Sequence, residues 1–127
     1  MTIKDTYPVQ APVLNKEEAK FAHTDEIVTY IEEKIAAHPV AAYIATFDHY
    51  AHTKNIPDHE MDERIIDVKI VVFCFGKELP VPQIAEVRPR SIAIVEETDK
   101  FTITFMDAPN PQAHEAMENW VKDVKKS

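Results

Sequence analysis

The amino-acid sequence predicts an α+β fold, in which a small, mostly antiparallel sheet of about four strands and two main helices form a two-layer sandwich. Two segments repeat apolar residues at the spacing of an amphipathic helix. Four others are rich in Ile, Val, Phe and Thr, which favour strands. The helical segments come before and after the strands, an order typical of α+β domains.

The first helix is predicted from about Asp25 to Ala37, with Thr24 as its N-cap. Pro39 disfavours helical backbone at the residue before it, so the helix should end there. The apolar positions recur every four residues and would share one face, at Ile27, Ile31 and Ile35.

The strands are predicted at Val40–Tyr50, Ile66–Phe75, Ser91–Glu97 and Phe101–Asp107. The second is almost continuously apolar, which predicts a central strand covered on both faces. The last two flank a short polar segment and are expected to pair as a hairpin. The polar segment Ala51–Glu63 is expected to be a loop with room for one helical turn.

The last helix is predicted to begin at Asn110, with Pro111 in its first turn. Its apolar face would be formed by Ala113, Met117, Trp120, Val121 and Val124. Residues 1–14 contain two prolines and are expected to form a flexible N-terminal arm, and residues 15–127 a single α+β domain.

The composition predicts a cytoplasmic protein and disfavours several kinds of partner. Acidic residues outnumber basic ones by 22 to 14, and the resulting net charge of -8 argues against nucleic acid and anionic membranes. The single cysteine cannot form an internal disulfide, which suits a reducing compartment. The sequence shows no signal peptide and no run of about 18 apolar residues that would span a membrane.

The densest polar cluster follows the first predicted strand, at Asp48-His49-Tyr50-Ala51-His52-Thr53. Imidazoles and carboxylates bind transition metals, so His49, His52 and Asp48, joined by His59, are candidate ligands of a divalent zinc or iron ion. The spacing matches no motif of known ligand geometry, and structural hydrogen bonding is the alternative. Another alternative makes His49 a general base oriented by Asp48, with the nucleophile to be found among Cys74, Thr53 and Ser91.

Three other features are candidates for a binding site or a reactive group. Gly76 is the only glycine, and a strained turn or a close backbone approach would favour it. Arg88 and Arg90 flank a proline and would either clamp an anion or pair with surface acids. Cys74 lies among large apolar residues, which indicates a buried, unreactive thiol, while its closeness to Gly76 leaves redox chemistry open.

Three short strings resemble the uncharacterised bacterial DUF302 domain: Phe47-Asp48-His49-Tyr50-Ala51-His52, Val72-Phe73 and Phe75-Gly76-Lys77. The likeness extends from about Asp25 to Pro109. It departs from the family where Lys77-Glu78 replaces the usual Asn-Pro. The resemblance implies a compact α+β fold and a homodimer, and it implies no established activity.

Because polar residues cluster at a strand end without a complete catalytic set, we expect a binding or interaction domain. It would hold a small molecule or a protein near Asp48, His49, His52, Gly76 and the two arginines. Two helices leave one sheet face partly exposed, and pairing of two such faces predicts a homodimer. The alternative is a metal-binding protein or a metal-dependent enzyme that uses the Asp48, His49 and His52 cluster.

Overall fold

The computed structural model describes residues 9–76, 82 and 89–126 and confirms the α+β prediction. No helix in these ranges has the length and apolar content needed to cross a membrane. The elements in chain order are β1 (Val9–Gln10), β2 (Val13–Asn15), a 3-10 turn (Lys16–Glu18), α1 (Thr24–Ala37), β3 (Ala42–Asp48), α2 (His49–Lys54), β4 (Ile65–Cys74), β5 (Arg90–Glu97), β6 (Lys100–Met106) and α3 (Pro111–Lys122).

The strands form one sheet in the order β1-β6-β5-β4-β3, and β2 also pairs with β6. Every pair is antiparallel, so β3 to β6 form a meander. These four strands are the predicted ones, with their ends shifted by one or two residues. The sequence does not predict β1 and β2, because strands of two and three residues are too short to carry an alternating pattern.

The predicted N-terminal arm is partly joined to the sheet. Val9 and Gln10 pair with Met106 and Phe105, and β2 pairs with the other half of β6. The boundary between an arm and a domain at residue 15 stays a prediction, and residues 1–8 lie outside the described part of the chain.

Helix α1 packs against the sheet through the predicted apolar face, where Ile27, Ile31 and Ile35 are fully buried. It ends at Ala37, in agreement with the restriction that Pro39 places on the residue before it. The predicted N-cap is wrong by one residue: His23 holds that position, and Thr24 is the first helical residue. The reason is that the Thr24 hydroxyl and amide both donate hydrogen bonds to Glu96.

Helix α3 begins as predicted, with the Asn110 side chain accepting hydrogen bonds from the amides of the first turn. Its Trp120 ring contacts the rings of Phe73 and Phe75, so α3 lies on the same sheet face as α1. The Tyr30 hydroxyl of α1 donates to the Trp120 carbonyl oxygen at 2.9 Å and joins the two helices. Burial raises the pKa of Tyr30 to about 12, so the hydroxyl keeps its proton at neutral pH.

The two helices define an inner face of the sheet and leave an open face. Inner-face side chains such as Val71, Phe73 and Ile94 are fully buried. Side chains of the open face alternate with those of the inner face along each strand. It is formed by Ala45, Phe47, Val68, Ile70, Val72, Ser91, Ala93, Val95, Thr102 and Thr104.

The prediction of a central strand is confirmed for β4, which pairs with β3 and β5, but the described residues cover its second face only in part. Val68, Ile70 and Val72 are half-buried on the open face, and Ile66 is 44% exposed. Both main helices pack on the inner face, so the continuous apolar run of β4 does not signal two covering layers here.

The edge strand β3 carries a β-bulge. Tyr43 pairs with Phe73 and Ala45 with Val72, so Ile44 is an extra residue in β3. A bulge bends the strand and interrupts its regular hydrogen bonding.

A buried and an exposed isoleucine should respond differently to the same truncation. Ile94→Ala, on the inner face, should lower the free energy of unfolding by about 2–5 kcal/mol, because it opens a cavity in a dry core. Ile66→Ala removes an exposed side chain and should lower it by less than about 1 kcal/mol. Urea unfolding of dilute protein measures both values, and equal losses would contradict the burial of Ile94 on the inner face.

Candidate functional site

The polar cluster at the end of β3 is built around a helix cap. Asp48 is the last residue of β3, and its Oδ1 accepts a hydrogen bond from the amide of Ala51 at 2.9 Å. This bond starts α2 at His49 and Tyr50, which the sequence assigns to the strand, and the helix continues into the segment where one helical turn is expected. The carboxylate therefore caps the helix, as expected if Asp48 makes a structural hydrogen bond and is not a metal ligand.

His49 and His52 come together on an aromatic ring. The Phe47 ring centroid lies 5.4 Å from that of His49 and 5.3 Å from that of His52, and the two imidazoles are 6.1 Å apart. The Nδ1 atom of His49 is 2.9 Å from the Thr53 hydroxyl oxygen. All three rings belong to exposed residues, so they form an accessible aromatic and imidazole cluster at one end of the open face.

The predicted metal set is not assembled as a group of ligands. Nδ1 of His59 lies 3.0 Å from the carbonyl oxygen of Ile56, on an exposed turn. Within residues 9–76, 82 and 89–126, no three His, Cys, Asp or Glu side chains are grouped so that they would hold an ion. His49 and His52 thus form a pair without a third ligand from the described part of the chain.

The other predicted site residues lie at the opposite end of the sheet. In the register, Asp48 pairs with Lys69, whereas Cys74 pairs with Ala42 and Phe73 with Arg90. Five residues of extended strand separate these ends by about 17 Å. One site that combines His49 and His52 with Gly76 and Arg90 is therefore not formed by this sheet.

Gly76 and Cys74 contact each other through the backbone. The amide of Gly76 donates to the Sγ atom of Cys74 at 3.1 Å, and Cys74 is a half-buried free thiol. No described glycine has a positive φ, so the expected strained turn is not the reason for Gly76. The amide of any residue could make this bond, so the prediction of a close backbone approach at Gly76 stays a prediction.

Arg90 is buried on the inner face, and its Nη2 donates to the carbonyl oxygen of Met106. This contact ties β5 to the end of β6. Arg88, the other half of the predicted anion clamp, lies outside the described residues.

A buried carboxylate that the sequence analysis does not single out is the best-connected polar group described. Glu96 is 3% exposed and accepts hydrogen bonds from Lys16 Nζ at 2.6 Å and from the amide and hydroxyl of Thr24 at 2.8 Å. His23 Nδ1 lies 3.2 Å away. The signal was available, because Glu96 alternates with Ile92 and Ile94 and so falls on the inner face of β5.

Hydrogen bonds keep the Glu96 carboxylate ionised although it is buried. Burial by itself raises the pKa of Glu96, but the bonds from Lys16, Thr24 and His23 outweigh it and bring the pKa to about 2. Glu96 is therefore ionised at neutral pH, and it joins the N-terminal segment and the start of α1 to β5.

Glu96→Gln should lower the free energy of unfolding by about 2 kcal/mol at pH 7, because charge-assisted hydrogen bonds are lost. The folded-state pKa lies below the ordinary value of 4.5, so the stabilisation is complete above pH 4.5 and disappears as the pH falls toward 2. Denaturant unfolding from pH 7 to pH 2 should show wild type and variant converging. A constant difference across this range would refute the role of the ionised carboxylate.

Comparison with known proteins places the chain in a family without assigning an activity. The model of a family of unknown function, DUF6858, matches residues 1–126. No curated protein and no solved structure matches the chain. The expectation of an uncharacterised family is confirmed, whereas the comparison gives no link to DUF302. With nearly its whole length matched, the chain belongs to the DUF6858 family.

Proposed function

We propose that the chain is an interaction domain that works as a homodimer through the open face of its sheet. The observation that carries the proposal is the chemistry of that face. Antiparallel sheets with one solvated face normally place polar residues on it. Here the outward positions of β4 are Val68, Ile70 and Val72.

The open face is suited to a second copy of itself. Its ten side chains carry no charge, and the charged pair on this side of the sheet, Glu97 and Lys100, lies at the hairpin end. Two copies of net charge -8 repel each other, so contact is favoured where charges are absent. A two-fold axis makes any such patch self-complementary, without a partner of opposite charge.

The projected area of the face is about half of what each partner buries in a standard dimer, so side-chain relief and the rim must supply the rest. Four strands about 4.8 Å apart and six residues long give a projected area on the order of 400 Å². Side-chain relief increases the accessible area, and specific dimers bury about 800 Å² per partner. Two such faces would pack about 10 Å apart as a β-sandwich, with the helices on the outside.

A charge in the middle of the face tests the dimer. Ile70 lies between Phe47 and Ala93 in the register, so Ile70→Lys would bury an unpaired ammonium and should weaken the dimer by at least about a hundredfold. Phe47→Lys places the same charge at an exposed position that the fold tolerates easily. Sedimentation velocity at micromolar concentrations measures the mass of each variant.

Asn119→Lys is the matched control, because it adds the same charge at an exposed position of α3. We expect wild type and Asn119→Lys to sediment as dimers, and the two open-face variants to sediment as folded monomers with an unchanged circular dichroism spectrum. A monomeric wild type, or open-face variants that stay dimeric, would overturn the proposal.

The metal hypothesis is a second candidate, supported by the contact between the His49 and His52 rings. It predicts that untagged protein carries close to one transition-metal ion per chain or per dimer. The double variant His49→Ala/His52→Ala should then lose this metal while keeping its fold, since both side chains are exposed. Elemental analysis measures the content, and wild type with only trace metal contradicts this reading.

A further inference from the structure

A second surface feature, away from the open face, is a cleft before helix α1. It has a volume of about 550 Å³, within the range of small-molecule sites. We call it the lysine cleft, and its lining includes Lys16, Lys20, Lys126, His23, Ala19 and Phe21.

The backbone holds both sides of the lysine cleft in place. The amide of Lys20 donates to the carbonyl oxygen of Val124, and the amide of Lys126 donates to that of Glu18, each at 2.8 Å. These bonds flank a bridge between Ala19 and Lys125. The segment before α1 and the segment after α3 therefore lie side by side, and the lysines are brought together from distant parts of the sequence.

The lysines that line the cleft differ in whether a carboxylate neutralises them. Lys16 is neutralised by Glu96, whose carboxylate accepts its hydrogen bond. Lys20 and Lys126 have no carboxylate within ion-pair distance among the described residues, and Lys126 Nζ donates only to the Glu17 carbonyl oxygen. Glu17 is the one acidic residue of the lining. The Glu26 carboxylate accepts hydrogen bonds from the amides of Ala22 and His23 at another part of the lining, so the positive charge is confined to the side of Lys20 and Lys126.

The cleft also offers an apolar surface. Ala19 is 4% exposed and lies among the core residues. Phe21 is half-buried, and its ring lies 5.3 Å from that of Tyr30, which fixes its position. A ligand held by the ammonium groups would therefore contact an aromatic wall.

We propose that the lysine cleft binds a small organic oxyanion that combines a carboxylate or phosphate group with a flat apolar group. Ammonium groups on flexible stems bind such oxyanions as point charges. Lys20 and Lys126 hold the anionic group, and Phe21 contacts the apolar one. This site is independent of the proposed dimer, because it lies outside the open face and its residues belong to the segments that flank the two helices.

Titration with phenyl phosphate, benzoate and inorganic phosphate tests the proposal. Calorimetry gives the affinities, and two-dimensional NMR identifies the amides that shift. We expect phenyl phosphate or benzoate to bind more tightly than inorganic phosphate and to shift the amides of Lys20, Phe21 and Lys126. The preferred aromatic probe distinguishes phosphate from carboxylate as the recognised group.

The double variant Lys20→Gln/Lys126→Gln should lower the affinity of that probe by about tenfold or more. The control Lys54→Gln/Lys122→Gln removes the same charge from exposed lysines outside the cleft and should change it by less than about twofold. The proposal is overturned if neither aromatic probe shifts these amides at millimolar concentration, or if both double variants bind equally. Neither pair of substitutions touches the open face, so this result does not depend on the oligomeric state.

Discussion

The structure depends on a mismatch between one layer of helices and a sheet with apolar side chains on both faces. α1 and α3 together bury the inner face, where Val71, Phe73 and Ile94 have no exposed surface. The open face keeps Ile, Val, Ala and Phe at its outward positions and exposes them to water. Apolar area removed from water stabilises by roughly 25 cal/mol per Å², which is the physical basis of the dimer proposed above.

Electrostatics adds a second constraint, which concerns how the N-terminal segment joins the domain. A carboxylate buried without partners would take up a proton, but Glu96 is surrounded by donors that stabilise its charge. Lys16 is one of these donors and also lines the lysine cleft. The anchoring of the segment and the charge of the cleft are therefore linked. Glu96 forms an ion pair with Lys16, whereas Lys20 and Lys126 form none among the described residues.

The sequence predicts the longer helices and strands well, because the spacing of apolar residues along the chain shows which positions are buried. The four-residue repeat of isoleucine locates α1, and Asn110-Pro111 locates the start of α3. Contacts between distant segments leave no such pattern. The hydrogen bond between Lys126 and Glu18, and the three donors around Glu96, form only when segments far apart in the sequence come together.

The sequence predicts the candidate site only in part, because some of its contacts are local in sequence and others depend on strand register. Neighbours in sequence, such as His49 and His52, do meet as expected, because α2 places them almost one turn apart. Gly76 and Arg90 do not join them, since their position depends on the antiparallel register between β3, β4 and β5. The sequence also does not show that the helices cover only one face of β4, because the outward positions of this strand are as apolar as the inward ones.

The bulge at Ile44 affects whether further strands can add to the edge of the sheet. β3 is an edge strand whose residues 42–47 carry no charge, and such edges recruit further strands into filaments. The extra residue breaks the even spacing of free amide and carbonyl groups that an incoming strand would need. An incoming strand would therefore meet an irregular edge, which disfavours growth along the sheet into a fibre.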